Sequence, residues 1–331
     1  MKQVLLASGS RFTVEAGVSI IEGAQKSGLV LPHSCRTGRC STCKCKIDGA
    51  SEALSNETGL SDAEKAEGWV LACVRSPLEN VVVGLSEIEI GRLTKPRMFP
   101  AKIDALELLS EDVIKVRLRL PPGSGFEYVA GQYIDVVTKN GQTRSYSMAR
   151  SHDRGPLELH VRRVAGGQLS DYWFNQAKVN DLLRIYGPVG TFCLRHSPET
   201  SVVFLATGTG IAPVVAMLEE LSTLPRVERP ASVRVYWGGR TPKDLYCDPA
   251  SAFDDAEVVT TLSRAKMDWG GARGYVQDHA VASILAAGEA GKVQVYACGS
   301  DAMISAARNV LESVGVPAAE FYSDAFVASE K

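Results

Sequence analysis

The sequence predicts a multidomain chain of mixed class: a small α+β segment first, a run of antiparallel β-strands next, and an α/β segment with a parallel sheet last. Three observations predict it. Four of the eight cysteines crowd between residues 35 and 45, inside a stretch with hairpin and helix-cap signals. Short alternating strands separated by Pro/Gly turns follow between residues 113 and 161, as in a barrel or sandwich. A near-continuous apolar run at residues 201–206 then leads into a glycine-rich turn and a helical pattern. The length of 331 residues suits two to three domains.

Charge narrows the function classes. Lys+Arg of 36 against Asp+Glu of 38 leaves a net charge of −2. That argues against a nucleic-acid footprint and a polybasic membrane patch, while leaving room for a small charged docking face. Met1-Lys2-Gln3-Val4 is followed by only a short apolar stretch before Ser8-Gly9-Ser10, which is not a signal-peptide pattern. The uncharged run at 200–218 is interrupted by Gly208, Gly210 and Pro213, and reads as strand, turn and helix rather than a membrane span. A cytoplasmic location is expected.

In the first segment, residues 2–7 and Arg11–Val14 form a hairpin. Ser19-x-x-Glu22 is a capping box opening a helix that Gly28 can close, and residues 62–68 read as a second short helix. Cys35-x4-Cys40-x2-Cys43, with Cys73 about thirty residues on, is plant-type [2Fe-2S] spacing: a tight loop presents thiolates to two irons and a distant segment supplies the fourth. A four-cysteine zinc site favours two short knuckles, whereas the fourth cysteine here stands alone. Zinc and free thiols are the bland alternatives. Ser34, Arg36, Gly38 and Arg39 fill the loop with small or donor residues whose N–H groups can point at sulfur. Cys45 lies on an alternating strand, Cys43-Lys44-Cys45-Lys46-Ile47, and reads as a spectator thiol.

The stretch His33-Ser34-Cys35-Arg36-Thr37-Gly38-Arg39-Cys40-Ser41-Thr42-Cys43 resembles the loop of plant-type ferredoxin domains. The resemblance implies a β-grasp fold with the cluster on Cys35, Cys40, Cys43 and Cys73. One departure is Ser41, where the family often has glycine; a positive φ there would strain a serine.

The pattern breaks around residues 91–100, with Gly91, Pro96 and Pro100 among Arg92, Lys95 and Arg97. A linker is placed at 92–99, between a first domain at 1–91 and a second at 100–198. Strands are expected at 113–120, 132–137 and 157–161. Arg144-Ser145-Tyr146-Ser147 offers what a planar isoalloxazine needs from one strand end: an aromatic face, hydrogen bonds and a cation for the phosphates. Alone this is a weak signal, compatible with a charged half-buried strand. Arg162-Arg163-Val164-Ala165-Gly166-Gly167-Gln168-Leu169-Ser170 adds paired glycines before a helix, a backbone donor nest for a phosphate. Together with the turn Gly187-Pro188-Val189-Gly190, these elements resemble the flavin domain of the ferredoxin-NADP reductase superfamily, an antiparallel β-barrel. FAD is the expected flavin. Arg144, Ser145, Tyr146, Ser147, Arg162, Gly166, Gly167, Gln168 and Ser170 are its expected contacts. His160, on an alternating strand, reads as structural.

Thr207-Gly208-Thr209-Gly210-Ile211-Ala212-Pro213 follows the buried run of the third segment, placed at 199–331. Its Gly-x-Gly permits close approach of a pyrophosphate to a helix N-terminus. Pro213 replaces the third glycine of the full Rossmann fingerprint. Gly-Thr-Gly-Ile-Ala-Pro after a strand is similar to the form used by the same superfamily. Strands at 233–237 and 293–297 lead to Gly238-Gly239-Arg240 and to Cys298-Gly299-Ser300, at the carboxyl ends where α/β sheets bind ligands. The second opens a helix from Asp301 that Gly315 can end. The resemblance implies a Rossmann-like nucleotide domain, Cys298-Gly299 lining the nicotinamide, and Phe326 covering the flavin face opposite Tyr146. A core phenylalanine is the bland reading of Phe326. Cys193 and Cys247 have no partner pattern.

The resemblance spans essentially the whole chain, in the order of the iron–sulfur flavoprotein reductases of bacterial multicomponent systems. It implies hydride transfer from NADH to FAD and single electrons through the cluster to a redox partner protein, with the chain itself monomeric. Tyr146, Ser147, Cys298 and Phe326 then sit at the chemistry. Ser263-Arg264 resembles the pair that NADPH-using relatives place on the 2′-phosphate, and Arg240 could approach it. Asp268 and the missing acidic residue after that pair favour NADH, with NADPH open. Two acceptors are open. The Gly38-Arg39-Cys40-x-Thr42-Cys43-x-Cys45 loop and Tyr146-Ser147-Met148-Ala149 look like naphthalene-dioxygenase-type reductases, which puts an oxygenase component first. Tyr296-Ala297-Cys298-Gly299-Ser300 and Phe321-Tyr322-Ser323-Asp324-Ala325-Phe326 resemble CDP-6-deoxy-glucoseen reductases, which serve a dehydratase in deoxysugar biosynthesis. A redox sensor is the non-enzyme alternative.

Overall fold

The computed structural model describes residues 1–88, 93–137, 141 and 143–326. The chain divides into two compact units, Met1–Gly91 with Ser323–Lys331, and Arg92–Tyr322. Gly91 and Arg92, where the expected linker begins, lie outside the described residues.

In the first unit, β1 (Lys2–Leu6) and β2 (Arg11–Val14) form the expected antiparallel hairpin. Helix α1 (Ile20–Lys26) starts where Ser19 Oγ accepts the Glu22 N–H at 3.2 Å. Only half of the expected capping box forms, because the Glu22 carboxylate pairs with Lys26 at 3.1 Å. Ile20, Ile21 and Ala24 bury one face of α1, and a Cβ on Gly23 would lie 2.6 Å from Val14 Cγ2. The remaining elements are β3 (Lys44–Asp48), β4 (Ser51–Ala53), α2 (Asp62–Ala66), β5 (Trp69–Leu71), β6 (Arg75–Pro77) and β7 (Val81–Val83). The main sheet runs β2-β1-β7-β3-β5, with β4-β6 as a separate ribbon. The parallel pairing of β1 with β7 at the centre gives the β-grasp layout. Ser61 and Glu64 close a complete capping box on α2.

The second unit begins with β8 (Arg97–Leu108). Residues 97–99 of the expected linker are therefore strand: Arg97 pairs with Gly187, a partner ninety residues away that local sequence does not reveal. Strands β9 (Val113–Arg119), β10 (Tyr133–Val137), β11 (Thr143–Ser147) and β12 (Leu157–Arg162), the short helix α3 (Gln168–Asp171) and β13 (Leu182–Val189) complete this half. The sheet order is β11-β10-β13-β8-β9-β12. Its two outer strands meet through the Met148–Leu159 bridge and the Ala149 N–H donating to the Glu158 carbonyl at 2.8 Å, which curls it into a barrel. Ile103, Val116, Leu118, Ile134 and Ile185 fill the interior.

The parallel sheet follows: β14 (Ser201–Thr207), α4 (Ile211–Thr223), β15 (Ser232–Gly239), β16 (Ala256–Leu262), β17 (Ala272–Arg273), α5 (Val276–Ala287), β18 (Val293–Gly299), α6 (Asp301–Ser313) and β19 (Phe321–Ala325), in the order β17-β16-β15-β14-β18-β19. Every residue of β18 and all but the last of β14 are buried, as strands covered on both faces require. The sheet extends from β14 in both directions, so the carboxyl end of β14 is the topological switch point. Among the described residues no helix is long and apolar enough to cross a membrane.

Candidate functional site

The cysteine loop brings its four expected ligands together as two pairs. Cys35 and Cys40 share a side-chain hydrogen bond, as do Cys43 and Cys73. The Thr37 and Cys40 N–H groups donate to Cys35 Sγ at 3.5 and 3.4 Å. The Cys40 hydrogen bond, against burial, pulls the Cys35 thiol down to about 5. The Cys43 thiol is pushed up by its bond to Cys73 and by burial. Two thiol pairs fit a [2Fe-2S] cluster, in which each iron takes two thiolates. Cys45 stays outside both pairs, 1% exposed, with burial pushing its thiol up to about 12. Ser41 does adopt a left-handed φ of 60°, and its Oγ donates to the Gly59 carbonyl at 2.5 Å. Thr42 Oγ1 donates to the Ser323 carbonyl at 3.0 Å, and Ser34 Oγ to the Asp324 carboxylate.

Glu57 is a residue that motif reading missed. It accepts the Leu71 N–H at 2.7 Å and both Nε and Nη2 of Arg75, at 3.0 and 2.5 Å. It thus ties the Leu71 backbone before Cys73 to the Arg75 side chain after it. A carboxylate four residues before the Ser61 helix cap, with an Arg two residues past Cys73, was the available signal.

In the barrel, Tyr146 is half-buried and Ser147 buried at the end of β11. Burial pushes the Tyr146 phenol up to about 12. Ser145 alternates away: its Oγ donates to Asp135 Oδ1 at 2.6 Å across the β10–β11 ladder. Arg144 is half-buried next to Ser145. Gly166, Gly167, Gln168 and Ser170 line one cavity of about 950 Å³. Gly166 has φ +73°, and the turn holds itself together through Ser170 Oγ, which accepts the Val164 N–H at 3.1 Å and shares its one proton between the Val164 and Gly167 carbonyls, at 3.0 and 2.8 Å. Trp173, which sequence reasoning also missed, donates its indole N–H to Tyr146 Oη at 3.2 Å.

Arg162 is placed apart from this turn. Its Nε lies 3.3 Å from Asp112 and its Nη2 3.2 Å from Asp244. A Cβ on Gly208 would lie 3.4 Å from Arg162 Nη1, so the guanidinium borders the nucleotide turn rather than the glycine pair. His160 is structural: it bonds Tyr246 Oη at 3.2 Å and Glu158 at 3.3 Å.

At the switch point, Gly208–Gly210 form a 3-10 turn leading directly into α4, with Pro213 buried in its first turn. Thr207 and Thr209 flank Gly208 there. Gly210 packs under β18, where a Cβ would lie 2.2 Å from the Cys298 carbonyl oxygen. Gly299 has φ +144° and an added Cβ there would strike Thr207 Oγ1 at 2.2 Å. Both carboxyl ends can approach this closely only because each carries a glycine. Gly238 continues the same end of the sheet on β15. Cys298 is fully buried. Arg240 and Arg264 are exposed on adjacent loops, joined by the Arg264 N–H donating to the Arg240 carbonyl at 3.0 Å. Phe326, after β19, is half-buried.

Three family models match successive stretches of the chain. The models of a 2Fe-2S iron–sulfur cluster binding domain, an oxidoreductase FAD-binding domain and an oxidoreductase NAD-binding domain match residues 5–78, 100–193 and 204–309. The CDP-6-deoxy-L-threo-D-glycero-4-hexulose-3-dehydrase reductase of Yersinia pestis is 36% identical, over 98% of this chain and 97% of its own length. The naphthalene 1,2-dioxygenase system ferredoxin–NAD(P)(+) reductase component of Pseudomonas putida is 30% identical, over 94% of both. Among solved structures, the cytochrome P450 reductase GcoB of Amycolatopsis superposes with a TM-score of 0.76 at 28% identity, covering 99% of both chains.

Proposed function

Because the chain belongs to the iron–sulfur flavoprotein reductases of the ferredoxin-NADP reductase superfamily, we propose that it takes a hydride from NADH and delivers single electrons to a separate protein. The observation that carries this reading is the pair of thiol pairs, Cys35 with Cys40 and Cys43 with Cys73, on the same chain as a glycine turn at a parallel-sheet switch point. When bound, the flavin accepts both electrons of a hydride and the cluster passes them on one at a time; the protein's part is binding, orientation and electrostatics.

The chain's own groups divide that part. The Gly208–Gly210 turn supplies N–H groups and a helix N-terminus to the nucleotide pyrophosphate. Cys298 and Gly299 form the strand end that would receive the nicotinamide. Tyr146 would present a ring face and a protonated hydroxyl to the flavin, and Ser147 a second hydroxyl. Arg144 and the Gly166–Gly167 turn hold the flavin phosphates, with Gln168 and Ser170 shaping the turn. Arg162, from its place beside Gly208, serves the nucleotide side instead of the flavin phosphates. Arg240 and Arg264 flank the adenosine ribose, and NADH is the preferred nucleotide.

For the acceptor, the higher identity to the hexulose-dehydrase reductase favours a sugar-nucleotide dehydrase. The naphthalene dioxygenase relative supports an oxygenase as the second reading. The test is a pair of substitutions in the full chain. Cys73→Ser should abolish the reduced cluster's paramagnetic signal and electron delivery to a one-electron protein acceptor, while NADH-driven reduction of a two-electron dye persists. Cys45→Ser should change neither. Cluster loss in Cys45→Ser would overturn the ligand set. Supplying a purified dehydrase or a ring-hydroxylating oxygenase then decides the acceptor by turnover.

A further inference from the structure

Trp173 belongs to none of the motifs that mark the flavin site, yet it reaches the Tyr146 hydroxyl, its indole N–H donating to Tyr146 Oη at 3.2 Å. It is 1% exposed, and the two rings meet edge to face at 6.3 Å and 81°. An indole N–H can only donate, whereas a phenol oxygen both accepts and carries one proton. With Trp173 donating, Tyr146 is the acceptor in this bond, and its own proton is left to point elsewhere. Burial keeps that proton on the oxygen throughout the neutral range.

Local backbone explains how Trp173 reaches this position. The α3 helix that follows Gly166 and Gly167 continues not as an α-helix but as a π-helical turn over Tyr172–Gln176, closed by the Ala177 N–H on the Tyr172 carbonyl at 2.8 Å. The wider turn re-aims the side chains within it, a device found at functional sites. It is pinned on both sides: Tyr172 Oη donates to Asp181 at 3.2 Å, and Asp171 accepts from Asn175 and Gln176 at 2.5 and 3.1 Å. The segment carrying the phosphate turn and the strand carrying Tyr146 are thereby tied by one hydrogen bond.

We propose that Trp173 is a positioning residue that makes the Tyr146 hydroxyl a dedicated hydrogen-bond donor toward bound flavin and fixes the ring relative to the Gly166–Gly167 turn. The proposal rests on the flavin reading above. Its test uses full-length protein in four forms: wild type, Trp173→Phe, Tyr146→Phe and the double variant. FAD dissociation constants and the visible absorption and midpoint potential of the bound flavin are measured. Each single variant should weaken FAD binding about tenfold, the factor supplied by one hydrogen bond of ordinary strength. The flavin spectrum should shift in the same direction in both. The double variant should resemble either single one, because both remove the same bond. Independent, multiplicative losses would overturn the proposal, as would a folded Trp173→Phe with wild-type FAD affinity and spectrum. If Trp173→Phe does not fold, Tyr146→Phe decides: unchanged flavin affinity and spectrum there also overturn it. Wild-type protein that takes up no flavin would overturn the flavin reading itself, and the proposal with it.

Discussion

Gly210→Ala isolates the nucleotide site from the rest of the molecule. Gly210 has φ −61° and ψ −12°, a conformation open to any residue, so the substitution costs nothing in backbone strain. The cost is steric. The new Cβ would lie 2.2 Å from the Cys298 carbonyl oxygen, 2.6 Å from its carbon and 2.9 Å from the Gly299 nitrogen. These are backbone atoms of a fully buried strand and cannot rotate away. Ordinary contact distances require the turn and the strand end to part by roughly 1 Å, at an overpacking cost of about 1–3 kcal/mol. A shift of about 1 Å in a positioned group costs on the order of 10²-fold in rate, or about 2.7 kcal/mol at 1.36 kcal/mol per decade. The kcat/KM for NADH with a dye acceptor should therefore fall about 10²-fold, while flavin and cluster absorption stay at wild-type intensity. Gly291→Ala is the control, since a Cβ there meets nothing within 4 Å. Gly210→Ala with kcat/KM within about threefold of wild type would refute the reasoning, because the turn would then not be where the nucleotide is held.

Two further outcomes follow from the same structure. Glu57→Ala strands the buried Leu71 N–H and the Arg75 guanidinium, and should destabilise the cluster unit by about 3 kcal/mol, the low end for a broken buried pair because Arg75 is partly exposed. Visible circular dichroism of the cluster during denaturant titration reads this locally. Burial raises the Glu57 carboxyl, but Arg75 and the Leu71 N–H outweigh it and hold the group below its ordinary value. Its contribution is thus present above the unfolded carboxyl value of about 4.3 and is lost as pH falls through the lower folded value, so variant and wild type should converge only in acid. Arg264→Ala should leave kcat/KM for NADH unchanged within about twofold, as expected of an exposed cation that NADH does not need. A wild-type preference for NADPH that disappears in Arg264→Ala would reverse the nucleotide assignment.

What the sequence discloses here is what neighbouring residues determine. Cysteine spacing sets the loop, since Cys35, Cys40 and Cys43 need only a short backbone path to converge. The buried run ending in Gly-Thr-Gly sets strand, turn and helix at 201–223 because period and glycine placement are local signals. Ser41 was legible as a strained position, and its φ of 60° bears this out. Tertiary partners decide the rest. Arg162 opens the motif that carries the Gly166–Gly167 turn, yet its guanidinium goes to Asp112 and Asp244, fifty and eighty-two positions away. The β8 strand begins inside the expected linker because its ladder partner is β13. Trp173 gives no sign of its place in the sequence, since a π-turn has no distinct sequence signature. Glu57 gains its role only when Leu71 and Arg75 are brought to it.

Electron order tests the central claim most directly. Full-length protein loaded with FAD and cluster is mixed anaerobically with one equivalent of NADH, and flavin absorbance is followed alongside the cluster's paramagnetic signal in samples frozen at successive times. The account predicts that flavin absorbance falls first and that the cluster signal rises only afterwards. It also predicts that protein stripped of FAD shows no cluster reduction by NADH. Cluster reduction by NADH at an undiminished rate in the flavin-free protein would contradict it.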